Sequence, residues 1–151
     1  MSMSDQNGLT VNAWPSNGMY PLRKASNLLN GVYNGNWDDS LHPFPMIKAY
    51  FVVDLGRETY VKKVKIILPS LYSINYRFTK ISMRLGQTPQ HGDFSTHEEL
   101  IYFEGPPTVP SFILIYEPKF PKLGRYISVQ TLHSNEMQVG YVQIYTQPEN
   151  E

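Results

Sequence analysis

The chain has 151 residues, with 13 Lys+Arg against 13 Asp+Glu, no cysteine, 11 tyrosines, 12 prolines and 10 glycines. This length makes one domain whose core needs no covalent staple, and the missing thiol excludes disulfides, thiolate metal sites and cysteine nucleophiles. The charges are balanced and scattered, leaving no nucleic-acid footprint, and no apolar run approaches the ~18 residues of a membrane span.

Residues 1–8 read as a polar tail with neither the basic nor the apolar region of a signal peptide. Leu9 to Trp14 alternates weakly, as an edge strand would, and Pro15 ends it. Residues 16–45 are rich in Asn, Gly, Ser and Pro and read as a long loop with at most one helical turn near Ala25 to Leu29; such a loop is usually functional or packs as its own unit. Trp37, Asp38, Asp39 and His42 gather in it.

Two apolar runs follow, Tyr50 to Leu55 and Val61 to Leu68. In the second, Val64, Ile66 and Leu68 alternate with Lys63 and Lys65, the period of a strand with one wet face. The intervening Gly-Arg-Glu-Thr has turn chemistry, so the stretch is expected to be a strand pair joined by a hairpin-like connection. An apolar loop, 69–76, leads into an expected strand from Arg77 to Gly86, with Thr79, Ile81, Met83 and Leu85 inward and Lys80, Ser82 and Arg84 outward. A polar loop covers 87–96. Four more strands are expected at Glu99 to Phe103, Ser111 to Tyr116, Arg125 to Thr131 and Gln138 to Thr146, then a short tail from Gln147. Short strands, long connections and no strand–helix alternation predict a single all-β domain over residues 9–146, a sandwich with Greek-key or jelly-roll wiring. Its expected core is Phe51, Val53, Val64, Ile66, Ile81, Met83, Ile127, Val129, Val142 and Ile144.

Five segments in order, FVVDLG (Phe51 to Gly56), YVKKVKI (Tyr60 to Ile66), KISMRLG (Lys80 to Gly86), LGRYISVQ (Leu123 to Gln130) and VQIY (Val142 to Tyr145), resemble the discoidin, or coagulation-factor C-type, domains. The resemblance covers Leu9 to Tyr145 and implies a jelly-roll β-sandwich of the galactose-binding-like class. The spacing is most similar to the fucose-binding (F-type) lectins, which carry a histidine before the Asp-Leu-Gly strand and two arginines with an aspartate after the next. His42 stands at the histidine position. The sequence departs elsewhere: Pro69 stands where the first arginine falls, Leu71 near the aspartate, and only Arg77 answers to the second arginine, slightly displaced.

This points to a non-catalytic carbohydrate-binding module, its sugar held at one loop end by His42 and Arg77 over Tyr72 or Tyr76, with Trp37 nearby. A neutral imidazole both donates and accepts, and a guanidinium fork grips vicinal hydroxyls beside an aromatic face. The bland alternatives stay open: a histidine bonded to its own loop, and an exposed strand-start arginine beside core tyrosines. The resemblance also implies a calcium turn at Asn27, Asn30, Asn34 and Asp38, but calcium usually wants a carboxylate. Asn30 stands at the turn's aspartate, and Tyr141 lies near where a glutamate ligand is expected. No cofactor is therefore required and at most a weak calcium site is expected.

Catalysis is not expected. Adjacent Asp38 and Asp39 point apart on an extended chain, and His42, His91, His97 and His133 have no metal-ligand spacing. The rival reading is a protein-interaction domain of the same fold, as in Doc-type adaptors. Membrane binding through Leu71 and Ile74 ranks third, with only Arg77 and Lys80 nearby to meet lipid. The expected partner is a glycan or glycoprotein, which would put the chain outside the cell.

Overall fold

The computed structural model describes residues 12–14, 48–68, 78–90, 92–133, 137 and 139–147. Within them all regular structure is strand: β1 Asn12–Trp14, β2 Tyr50–Ile67, β3 Ile81–Gly86, β4 Glu98–Phe103, β5 Ile113–Tyr116, β6 Lys122–Thr131 and β7 Tyr141–Gln147. Every pairing is antiparallel. The first half of β2 lies in a layer ordered β1-β2-β6-β3-β4, and its second half pairs with β5 and β7. One strand thus serves both layers of a jelly-roll sandwich, and inward residues of both meet in a single core. All ten expected core residues are buried.

The hairpin expected between Leu55 and Val61 is not formed. β2 runs unbroken through 18 residues, because both runs find partners outside themselves. β6 pairs with Tyr50–Asp54 and again with Thr59–Val61, with a register shift between. Gly56, at φ 89°, takes the left-handed backbone the irregularity needs. Its N–H donates to Asp54 Oδ1 at 2.8 Å. The turn chemistry of 56–59 therefore builds a bulge that bends the strand from one layer into the other.

Asp54 fastens that bend. Arg125 of β6 donates through Nε to Oδ1 at 2.7 Å and through Nη2 to Oδ2 at 3.1 Å, the two-point grip that a planar guanidinium makes on a carboxylate. Burial pushes the Asp54 carboxyl up, but the Arg125 hydrogen bond and charge and the Gly56 amide outweigh it and hold the group below the usual aspartate value. The Asp-Leu-Gly and Gly-Arg-Tyr segments are thus two halves of one fastening.

β3 is shorter than expected. Residues 78–80 stand outside it, and Lys80 has a positive φ of 49°. Ser82, expected on the wet face, is buried. The cause is the chain between β3 and β4, which folds back over the outer face of the first layer. There Phe94 meets Tyr50 edge-on, with ring centroids 5.1 Å apart, and joins Val52 and Tyr126 in a second, smaller apolar cluster. His97 is also buried, its ring so close to Gly86 that a Cβ there would overlap it.

Candidate functional site

The corner opposite the Asp54 fastening is built from β6's last residues. Thr131 N donates to Ala49 O at 2.9 Å, and its Oγ1 donates to Thr79 O at 2.8 Å. Leu132 N donates to Lys80 O at 2.9 Å, and Lys80 N to Glu104 O at 2.8 Å. Ala49 and Thr79 are among the first described residues after positions 15–47 and 69–77, the stretches that hold the ligand-binding residues named from the sequence. Thr131 thus ties Ala49 and Thr79 to one spot on the sandwich, with a backbone and a side-chain bond reaching opposite ways.

His42, Tyr72, Tyr76, Arg77 and Trp37, named from the sequence as ligand-binding, lie outside the described residues, as do Asn27, Asn30, Asn34 and Asp38 of the expected calcium turn. Among the described residues no three His, Asp or Glu side chains gather as metal ligands.

A cavity of about 300 Å³ opens beside this corner, lined by Lys48, Arg84, Gly92, Asp93, Phe94, Ser95, Gln130 and Leu132. Its floor is the outer face of β6 and β3, where Gln130 stands opposite Tyr50 and Ser82. Gln130 Nε2 donates to Lys48 O at 3.1 Å and to Gly92 O at 2.9 Å, stitching the start of β2 to the covering loop. Arg84 Nη1 donates to His97 O at 2.8 Å, and its Nη2 lies 3.7 Å from Glu99. Ser82 Oγ donates to the same Glu99 carboxylate. Asp93 Oδ1 accepts from Ser95 N at 3.1 Å. Backbone and side-chain bonds from Ser95, helped by the Lys48 charge, hold the Asp93 carboxyl below its ordinary value. Beneath the loop, burial pushes the Tyr50 hydroxyl up to about 12.

Sequence reasoning passed over Lys48, Asp93 and Gln130. The available signal was Phe94, an aromatic ring within the stretch 87–96 read as a polar loop, with the His97 ring just after it; a segment carrying them has a surface to cover.

No protein-family model and no curated protein sequence matches the chain. Solved structures do. A Streptococcus pneumoniae fucose-binding module superposes with TM-score 0.70 at 18% identity, over 97% of this chain and 96% of that one. The fold is the discoidin-type jelly roll. A second discoidin-type neighbour is the F-lectin (fucolectin) from striped bass (Morone saxatilis) serum, at TM-score 0.75 and 13% identity over 91% of this chain and 46% of that one. A third is the family 32 carbohydrate-binding module of Clostridium perfringens NanJ, in complex with galactose, at TM-score 0.65 and 13% identity over 92% and 94%. At these identities the likeness is one of fold.

Proposed function

We propose that this chain is a non-catalytic carbohydrate-binding module that holds its sugar with side chains from residues 35–45 and 69–77, beside the corner where Ala49 and Thr79 meet Thr131. The observation that carries the reading is Thr131, which joins Ala49 to Thr79, two residues that closely follow those stretches in the chain. The fold is shared with modules described as fucose-binding and as galactose-bound, which supports a sugar as ligand. His42 and Arg77 supply the polar contacts, Tyr72 or Tyr76 the apolar floor, and Trp37 a neighbouring ring, with no covalent step. Pro69 and Leu71, standing where fucose lectins carry an arginine and an aspartate, mean that a sugar is gripped here by fewer charged groups.

A glycan array followed by calorimetry with the best hit tests the reading. A hydrogen bond to an ionic or imidazole group is worth ~1.5–3 kcal/mol. His42→Ala and Arg77→Ala should therefore each weaken binding about tenfold or more. An array without hits would overturn the reading and favour the protein-interaction alternative. That alternative draws on Ile113 and Ile115, whose side chains are 46% and 48% exposed on the outer face of β5.

A further inference from the structure

The cavity beside the Thr131 corner is lined mainly by polar residues that the reading above does not use. It is polar, and its charges cancel in pairs. Arg84 is committed to His97 O and to Glu99, while the Lys48 ammonium stands within electrostatic reach of Asp93. A cavity selecting an anion would show unopposed positive charge, and one selecting a cation the reverse; this one shows neither.

It also has the hydrogen-bonding set of a hydroxyl-rich ligand. The Asp93 carboxylate accepts, the Lys48 ammonium donates, and both are at the surface. Gln130 is more than nine-tenths buried, and its Nε2 bonds to Lys48 O and Gly92 O fix the amide plane. Oε1 is its remaining acceptor. Leu132, 40% exposed, supplies an apolar rim against which ring C–H groups can lie. The volume of about 300 Å³ is at the lower limit of small-molecule sites, the size for one ring and not a chain of them.

We propose that this cavity is a second sugar subsite, which takes one neutral pyranose of an oligosaccharide whose terminal residue sits beside the adjoining Thr131 corner. The assignment rests on the carbohydrate-binding reading above and adds to it a requirement for at least two sugar units, none of them acidic at this position.

The test is a titration of the ¹⁵N-labelled chain, followed by amide shifts and calorimetry. The probes are L-fucose, D-galactose, neutral tri- and tetrasaccharides ending in either, and their sialylated counterparts. The variants are Lys48→Met, which keeps the stem and loses the ammonium, and Asp93→Asn, which keeps an acceptor for Ser95 N. Far-UV circular dichroism melts confirm that both fold.

The amides of Gly92, Asp93 and Ser95 should shift with the neutral oligosaccharides and not with the monosaccharides. Each variant should weaken oligosaccharide binding about tenfold or more, as loss of one hydrogen-bonding charge would, and leave monosaccharide affinity within about twofold. Oligosaccharides that bind no tighter than monosaccharides and ignore both variants would overturn the second subsite and leave the loop-corner reading standing. Tighter binding of sialylated probes that depends on Lys48 would overturn the neutral assignment. Monosaccharides that shift 92–95 and depend on Lys48 would place the primary site in the cavity and overturn the two-site arrangement. Failure of every probe to bind would overturn both readings together.

Discussion

The two ends of the Tyr50–Asp54 stretch of the β2–β6 pairing are fastened by different chemistry. At the bend, Asp54 and Arg125 form a two-point ion pair across strands 71 residues apart in sequence. At the Thr131 corner, neutral hydroxyl, amide and peptide groups bond to backbone carbonyls. A charge used to hold the fold is unavailable to a ligand. Tying the second corner with neutral groups leaves Lys48 and Asp93 at the surface beside it, so one end reads as a fastening and the other as a place to bind.

The core common to both ends sets the scale. Ile66, fully buried on β2, should cost ~2–5 kcal/mol on truncation to alanine, read from urea unfolding. Asp54→Ala removes the ion pair and the Gly56 N–H acceptor together. It should cost about 1.5–3 kcal/mol, toward the lower figure because both side chains stay partly exposed. The folded carboxyl lies below its ordinary value. The Asp54 contribution is therefore fully present above the unfolded value of about 3.9 and is lost as pH falls through the lower folded value. The gap between wild type and Asp54→Ala should close as urea midpoints are followed from neutral pH into acid; a gap that persists would mean the residue acts by packing.

Thr131→Val keeps the shape and removes the bond to Thr79 O, for about 0.5–1.5 kcal/mol with no acid dependence of its own. The hydrogen bonds described for the two corners involve different residues, so Asp54→Ala and Thr131→Val should add to within ~0.3–0.5 kcal/mol. A larger coupling would show that they act as one unit. Calcium should do least. With Asn30 at the turn's carboxylate position, added calcium should raise stability by less than about 0.5 kcal/mol, measured as a melting shift against chelator.

What the sequence showed and what it hid divide along physical lines. Strict alternation in Val64, Ile66 and Leu68 exposes the inner face of β2 directly, since burial is a property each residue carries alone. Gly56 to Thr59 misled, because a bulge and a hairpin use the same residues and only distant pairing with β6 decides between them. Ser82 looked solvent-facing because alternation reports which side a residue is on, not what later covers that side. The Asp54–Arg125 pair and the Gln130 stitch join residues far apart in the chain, with no local pattern to announce them. His42 and Arg77 came from family spacing, Tyr72 and Tyr76 from their place just before Arg77, and Trp37 from its polar-aromatic neighbours; all five lie outside the described residues.

The passage of β2 through both layers also dictates an order of events. Its partners are residues 12–14, 113–116, 122–130 and 141–147, so nearly every rung of its ladder closes a long stretch of chain, the kind of contact that slows folding. A growing polypeptide that has reached residue 120 already holds the whole of β2 but neither β6 nor β7. Its apolar rungs at Val53, Val64 and Ile66 must wait, unpaired on one or both sides, until the last strands are made. The interval between synthesis of residue 67 and residue 147 is when this protein is most exposed to aggregation, and when a chaperone would have the most surface to hold.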